Sequence, residues 1–148
     1  MLKLNLNMME ITKEQFIDNL NKDLELEYAA AIQYIQHAAI ITGPEYDAIA
    51  QELLIHADEE IGHAKKIADM IADLGGTPTI EVEERHISDQ SKKMLEQDLD
   101  GEELAIQRYK ERIAQAESLG EYGIRRGLED ILLQEEEHRR DLLSSLGK

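Results

Sequence analysis

The sequence predicts an all-α protein: an antiparallel four-helix bundle in which one long crossover joins the second and third helices. Apolar residues recur at steps of three and four through most of the 148-residue chain, which is typical of amphipathic helices. Glycine and proline residues interrupt this pattern at two turns. A stretch without helical period separates two pairs of closely connected helices. The length fits one domain spanning residues 1–148.

The first helix is predicted to begin at Thr12 and to run to Thr42. Thr12 and Gln15 have the spacing of a capping box, in which each residue satisfies a free backbone N–H of the first turn. Gly43 and Pro44 then stop the helical pattern.

The second helix is predicted to start just after Pro44, since proline suits a first helical turn. It continues to Leu74, where Gly75 and Gly76 end it and Pro78 prevents its extension. The short turn between the first two helices makes them antiparallel neighbours.

Residues 77–87 are predicted to form an extended connector, because they lack helical period and include β-branched side chains. A connector of this length can cross the bundle and return the chain to its first end. The third helix begins near Ser88 or Ser91 and ends near Leu119. The fourth runs from about Glu121 to Leu146.

Each predicted helix has one apolar stripe, and each stripe is interrupted at mid-length by a carboxylate. The stripes are Leu20, Leu24, Glu27, Ala31, Tyr34 and Ala38; Ile49, Leu53, His56, Glu60, His63, Ile67, Met70 and Leu74; Leu95, Leu99, Glu102, Ile106, Tyr109 and Ile113; Ile124, Leu128, Ile131, Glu135, His138 and Leu142. These carboxylates and histidines therefore face the core.

The interrupting residues form an internal repeat with an interval of 75 residues, the distance from Glu27 to Glu102. At this interval Glu27, Tyr34, Glu60 and His63 recur as Glu102, Tyr109, Glu135 and His138. A single Glu-x-x-His is usually part of a solvated helix face. A duplicated set that coincides with four apolar stripes indicates a shared site instead.

Four buried carboxylates require compensation, because burying each without a partner costs several kcal/mol and like charges repel. Lys and Arg are absent from the stripes, so bound metal ions are expected to supply the positive charge, with protons and water as the alternative. Mixed carboxylate and imidazole ligands suit iron, manganese or zinc, whereas magnesium and calcium prefer oxygen alone.

The formal charge of −16 argues against nucleic acid and anionic membranes as partners, although an acidic balance also simply favours solubility. The absence of cysteine excludes disulfides, zinc knuckles and iron–sulfur clusters. With no secretory h-region and no membrane-length apolar run, a cytoplasmic location is expected.

At these residues the chain resembles the ferritin-like di-iron carboxylate proteins, and bacterioferritins among them. The resemblance covers all four helices. It implies terminal ligands Glu27 and Glu102, bridging ligands Glu60 and Glu135, and capping ligands His63 and His138. It also implies two iron ions per chain, with manganese or zinc as substitutes, and a ferroxidase that oxidises Fe(II) with O2 or H2O2 for iron storage or detoxification.

Three differences refine the resemblance. Ile61 stands where bacterioferritins have the haem-binding methionine, so haem is not expected. The sequence ends at Lys148, without the fifth helix that lines channels of the 24-subunit shell. A homo-oligomer is still expected, as a twelve-subunit shell or a dimer. Ala105 replaces a further ligand carboxylate of rubrerythrins, which makes that family the weaker match.

The roles of several residues near the ligands stay open. Tyr34 and Tyr109 are candidate catalytic residues that hydrogen-bond a ligand or supply an electron, or else they are ordinary core tyrosines. Glu59 and Gln134 are candidate acceptors for the second nitrogens of the histidines. His56 is either a hydrogen-bonded core residue or a ligand for a transient ion.

Neither His37 nor His86 has a partner visible in the sequence, so solvent or a place behind the ligands is expected for both. Two alternative functions also stay open. One is a rubrerythrin-like di-iron peroxidase or oxidoreductase that stores no mineral, and the other is a metal-stabilised bundle without enzymatic activity.

Overall fold

A computed structural model describes residues 10–148, and it consists of four long helices. Their bounds are α1 Lys13–Ile40, α2 Asp47–Asp73, α3 Ser91–Ser118 and α4 Tyr122–Ser145. The predicted all-α four-helix bundle is confirmed. Across the described part of the chain, no helix combines the length and hydrophobicity that crossing a bilayer requires.

The first helix begins as predicted but ends earlier. Thr12 and Gln15 form a complete capping box, in which the Thr12 Oγ1 accepts from Gln15 N at 3.1 Å and Gln15 Oε1 accepts from Thr12 N at 3.0 Å. The helix ends at Ile40, two residues before the predicted Thr42, because Ile41 already has extended dihedral angles.

The turn between α1 and α2 also moves the start of the second helix. Residues Pro44–Tyr46 form one turn of 3₁₀ helix, so α2 starts at Asp47 and not directly after the proline. Gly43 has a φ of +116°, a conformation that L side chains rarely adopt, which explains glycine at this sharp change of direction.

The connector between α2 and α3 runs back along α1, which is the predicted crossover. Three hydrogen bonds mark its path: Thr79 N to Asn21 Oδ1 (2.8 Å), Glu83 N to Glu25 O (3.1 Å) and His86 N to Gln33 Oε1 (2.7 Å). The third helix therefore starts beside the end of α1, where Thr42 N donates to Ser91 Oγ at 3.1 Å. As a result, α3 is antiparallel to α1.

The apolar core has two parts, one towards each end of the bundle. The larger cluster is formed by Phe16, Leu20, Leu24, Ala64, Ile67, Ile71, Leu74, Ala105, Tyr109, Ala116, Leu128 and Ile131. The smaller cluster is formed by Tyr34, Ile49, Leu53, Ala57, Leu95 and Leu142. Buried glutamate and histidine side chains lie between the two clusters.

The predicted stripes are accurate near mid-length and drift towards the helix ends. Five predicted core residues are only half-buried: Ala38, Met70, Leu99, Ile113 and Ile124. Their neighbours His37, Ile71, Asp98 and Arg112 are buried instead. A straight α-helix has 3.6 residues per turn, so a stripe that follows a repeat of 3.5 residues rotates around the helix by about 20° per heptad. Over four turns or more such a stripe leaves the core.

We expect Ile67→Ala to lower the free energy of unfolding of the metal-free protein by about 2–5 kcal/mol, because Ile67 is fully buried in the larger cluster. Ile80→Ala is the matched control, since Ile80 is 89% exposed, and it should change stability by less than about 0.5 kcal/mol. Chemical denaturation of both variants measures the difference. Equal effects would contradict the described core.

Candidate metal centre

The structure brings all six predicted ligand residues together between the two apolar clusters. They are Glu27, Glu60, His63, Glu102, Glu135 and His138, and none is more than 2% exposed. Each helix contributes at its middle, α1 and α3 one glutamate each, and α2 and α4 a glutamate and a histidine one helical turn apart.

These six residues form two overlapping groups that share two glutamates. One group is Glu27, Glu60, His63 and Glu135, and the other is Glu60, Glu102, Glu135 and His138. Within each group, one ligand atom per residue lies within 4.8 Å of all the others. Glu60 and Glu135 belong to both groups, so their two oxygens can face two neighbouring ions.

One nitrogen of His63 lies among three carboxylates. Its Nδ1 is 2.6 Å from Glu135 Oε1, 3.2 Å from Glu60 Oε2 and 3.5 Å from Glu27 Oε2. One imidazole nitrogen carries at most one proton and cannot satisfy three oxygens. A cation enclosed by these four atoms would satisfy all of them, so the residues fit a bound metal ion.

The second half of the centre has the same arrangement around His138. Its Nδ1 lies 3.0 Å from Glu60 Oε1 and 3.3 Å from Glu102 Oε1. Glu60 therefore presents one oxygen to each histidine, as a bridging ligand would.

Both histidines are oriented through their other nitrogen. His63 Nε2 lies 2.5 Å from Gln134 Oε1, and His138 Nε2 lies 3.1 Å from Glu59 Oε2. Both predicted acceptors are thus in contact with a histidine, each on the facing helix. A proton on Nε2 leaves the Nδ1 lone pair pointing into the centre, which is the tautomer a metal ligand needs.

The two tyrosines cross the bundle and hold the glutamates of the opposite helix. Tyr34 OH on α1 donates to Glu102 Oε1 on α3 at 2.5 Å, and Tyr109 OH on α3 donates to Glu27 Oε1 on α1. The other oxygens, Glu27 Oε2 and Glu102 Oε2, are buried and have no hydrogen-bond partner among residues 10–148. Each tyrosine thus fixes one oxygen of a glutamate on the opposite helix.

Burial dominates the proton affinities of the shared glutamates. It raises the pKa of Glu60 and of Glu135 well above 4.5, and the charges of neighbouring glutamates raise both further. Burial also raises the pKa of Glu102, but hydrogen bonds from Glu135 and His138 outweigh it and lower that pKa to about 2.

Burial lowers the pKa values of the two histidines, but the same carboxylates raise them by a larger amount. Burial lowers the pKa of His138, but the hydrogen bond and charge of Glu102 outweigh it and raise the pKa to about 9. Burial likewise lowers the pKa of His63, and the neighbouring carboxylates of Glu135, Glu27 and Glu60 raise it far above 6.5. Without metal, protons on both histidines provide positive charge to the centre.

Two buried polar pairs flank the centre between α1 and α3, and neither is predicted from the sequence. Asp98 binds His37 Nδ1 through both oxygens at 2.9 Å, and Asp23 binds Arg112 at 2.6 and 3.1 Å. Of the two places expected for these histidines, His37 is therefore buried behind the ligand residues, whereas His86 is exposed to solvent. The repeat was the available signal, because Asp23 and Asp98, like His37 and Arg112, are 75 residues apart.

A cavity of about 360 Å³ leads from the surface to the centre between α1, α3 and the connector. Glu27, Glu60, Glu102 and Glu135 line it, and so do Glu83, Glu84 and Asp100. Acidic side chains along a cavity raise the local concentration of cations. It is a route by which small ions and molecules can reach the glutamates.

The comparisons with known proteins agree with this architecture. A sequence model of the family described as "Ferritin-like domain" matches residues 17–148. A bacterioferritin from Brucella melitensis is 32% identical over 139 residues, which cover 89% of this chain and 86% of that protein.

Two solved structures are similar throughout. A ferritin-like, diiron-carboxylate protein from Bacillus anthracis superposes with a TM-score of 0.88 and 32% identity, covering 93% of this chain and 99% of that chain. A bacterioferritin-related protein from Bacteroides fragilis, described as a dodecameric thioferritin, superposes with a TM-score of 0.86 and 30% identity, covering 93% and 87%.

We expect the metal-free protein to lose stability as the pH rises from 6.5 to about 9. The raised pKa of His138 contributes stability that is fully present below 6.5 and is lost as the pH rises through about 9. The raised pKa values of Glu60 and Glu135 act in the same direction, because the folded state holds protons that the unfolded chain has already released.

Urea unfolding of metal-free protein at several pH values between 6.5 and 9 checks this trend. With saturating Zn²⁺ the decline should disappear, because the cation replaces the protons. A flat profile without metal would contradict the electrostatics of the centre.

Proposed function

Because the chain belongs to the ferritin-like domain family, we propose that it is a di-iron ferroxidase that oxidises Fe(II) with dioxygen or hydrogen peroxide, for iron storage or detoxification. The observation that carries this proposal is the pair of four-residue groups that share Glu60 and Glu135. Two ions at neighbouring positions can transfer one electron each in a single encounter with an oxidant.

The donor set determines how the ions would be held. Glu27 and His63 would bind one ion, and Glu102 and His138 the other. The shared glutamates would bridge both. Carboxylate and imidazole together favour iron, with manganese and zinc as possible substitutes, and six side chains leave coordination positions open for an oxidant.

The residues around the ligands prepare the centre for this chemistry. When bound as substrate, two ferrous ions supply the two electrons that reduce dioxygen to peroxide, or peroxide to water. Burial raises the pKa of Tyr34 and of Tyr109 well above 10, so both keep their protons and act as hydrogen-bond donors to Glu102 and Glu27. These hydrogen bonds hold both glutamates in place at the centre.

We also propose that the chain forms a homo-oligomer, and a twelve-subunit shell in particular. The Bacteroides fragilis relative is described as dodecameric. Apolar side chains on α1 and α2 are exposed in the single chain, which suits an interface: Ile32, Ile35, Leu54, Ile55 and Ile61. A shell encloses the space that storage requires, and light scattering of the purified protein distinguishes it from a dimer.

An anaerobic titration with Fe(II), followed by oxygen, tests the centre. We expect saturation at two irons per chain and rapid oxidation, followed by the near-ultraviolet absorption of ferric iron. Glu60→Gln with Glu135→Gln should abolish paired binding, because neither shared residue could then bridge two ions with a negative charge. Glu45→Gln with Glu137→Gln removes the same charge from exposed positions and should bind like the wild type.

Oxidation that persists in the Glu60 and Glu135 double variant would refute the assignment. In the wild type, oxidation far beyond two irons per chain with the product kept in solution indicates storage. Arrest at two irons would instead favour the peroxidase-like alternative.

Tyr34→Phe should retain two irons per chain and oxidise them about tenfold more slowly, which corresponds to about 1.4 kcal/mol. The reason is that Glu102 loses the donor that holds its Oε1. Tyr28→Phe is the matched control, since Tyr28 OH donates to the connector at Thr79 O and not to the centre. Stopped-flow absorbance measures both rates, and equal rates would make Tyr34 an ordinary core tyrosine.

A further inference from the structure

We propose that Glu52, His56 and Asp141 form a third cation site, which binds one divalent transition-metal ion beside the metal centre. The binding itself does not require the chain to oxidise iron. A role for this ion in supplying the centre would rest on the proposed ferroxidase function.

The three residues converge between α2 and α4. His56 Nε2 lies 3.1 Å from Asp141 Oδ2 and 3.7 Å from Glu52 Oε1, and the three ligand atoms lie within 4.8 Å of one another. The His56 side chain is fully buried, whereas the carboxylate side chains are 39% and 45% exposed. An ion could therefore arrive from solvent and meet an imidazole at the inner end of the site.

The separations suit a transition-metal ion. Ligands about 2.1 Å from a tetrahedral ion lie about 3.4 Å from one another. The two distances from His56 Nε2 lie on either side of this value, so small side-chain rotations would complete the geometry. Water can occupy the position on the exposed side. One imidazole with two carboxylates selects iron, cobalt or zinc over magnesium.

A second observation is the incomplete hydrogen bonding of His56. Its Nδ1 is buried and has no hydrogen-bond partner among residues 10–148, so Nε2, on the carboxylate side, is the only ring nitrogen with a hydrogen bond in this part of the chain. With its proton on Nδ1, the imidazole would present the Nε2 lone pair towards two carboxylates. That arrangement places three electron-rich atoms around a point and is stable only with a cation between them.

The internal repeat does not include this histidine. At the 75-residue interval His56 corresponds to Ile131, which is fully buried in the larger apolar cluster. Glu52 corresponds to Gly127 and Asp141 to Lys66, so all three residues depart from the repeat together. The cluster is thus separate from the duplicated ligand set of the centre.

The third site lies next to the half of the centre that contains His138. The ring of His56 stacks on that of His138, with centroids 4.1 Å apart and planes at 22°. The third site opens between α2 and α4, whereas the acidic cavity opens between α1, α3 and the connector. An ion at His56 would therefore lie directly behind the His138 half of the centre.

Titration with Co²⁺ in excess Mg²⁺ tests the proposal, because Mg²⁺ occupies exposed carboxylates while histidine-containing sites prefer Co²⁺. Calorimetry and the visible absorption of bound Co²⁺ report the number of ions per chain. The test variant is Glu52→Gln with Asp141→Asn, in which an amide oxygen can still accept from His56. Glu137→Gln with Asp130→Asn is the matched control, since it removes the same charges from exposed positions of α4.

We expect three ions per chain in the wild type and in the control, and two in the test variant. Glu60→Gln with Glu135→Gln should retain one ion, at the third site. Equal stoichiometry in the wild type and the test variant would overturn the third site, whatever that number is. A wild type that binds one ion, and a test variant that binds none, would support the third site and refute the paired centre.

Discussion

The burial of four carboxylates at one level of the bundle is the constraint on which the rest of the structure depends. These four glutamates are at most 2% exposed, so each must be paired with positive charge or protonated. Without metal, protons on Glu60, Glu135, His63 and His138 supply this compensation, as their raised pKa values show. Two divalent ions can replace these four protons with no change in the net charge of the centre. The two apolar clusters above and below then keep this exchange away from solvent except through the acidic cavity.

The two duplicated halves of the chain supply hydrogen-bond partners to each other. Tyr34 from the first half holds Glu102 from the second, and Tyr109 from the second holds Glu27 from the first. The histidines follow the same rule, since His63 contacts Gln134 and His138 contacts Glu59. Even the flanking aspartate pairs join α1 to α3. A single helix pair would therefore leave buried donors and acceptors without partners, which ties formation of the centre to assembly of all four helices.

The helices, the crossover and the six central residues could be predicted from the sequence, because periodicity and duplication can be read from the chain without knowing how its helices pack. The burial of Asp98, His37 and Arg112 could not be predicted, because each lies one position from a predicted stripe. A charged residue at the edge of a stripe is typical of a solvated face, and only the neighbouring helix decides otherwise. Which oxygen contacts which nitrogen is also a property of the packed helices. The sequence could suggest Glu59 and Gln134 as acceptors, but not that each contacts the histidine of the facing helix.

The repeat is strict for the six central residues and is not kept in the residues immediately behind them, so the two halves are chemically different. A carboxylate, Glu59, accepts from His138, whereas an amide, Gln134, accepts from His63. A carboxylate partner makes an imidazole a stronger ligand than an amide partner does. His56 adds a second imidazole behind His138, where the other half has the apolar Ile131. Two ions held by identical ligand types would therefore experience different surroundings, and this difference follows from the residues that the duplication did not preserve.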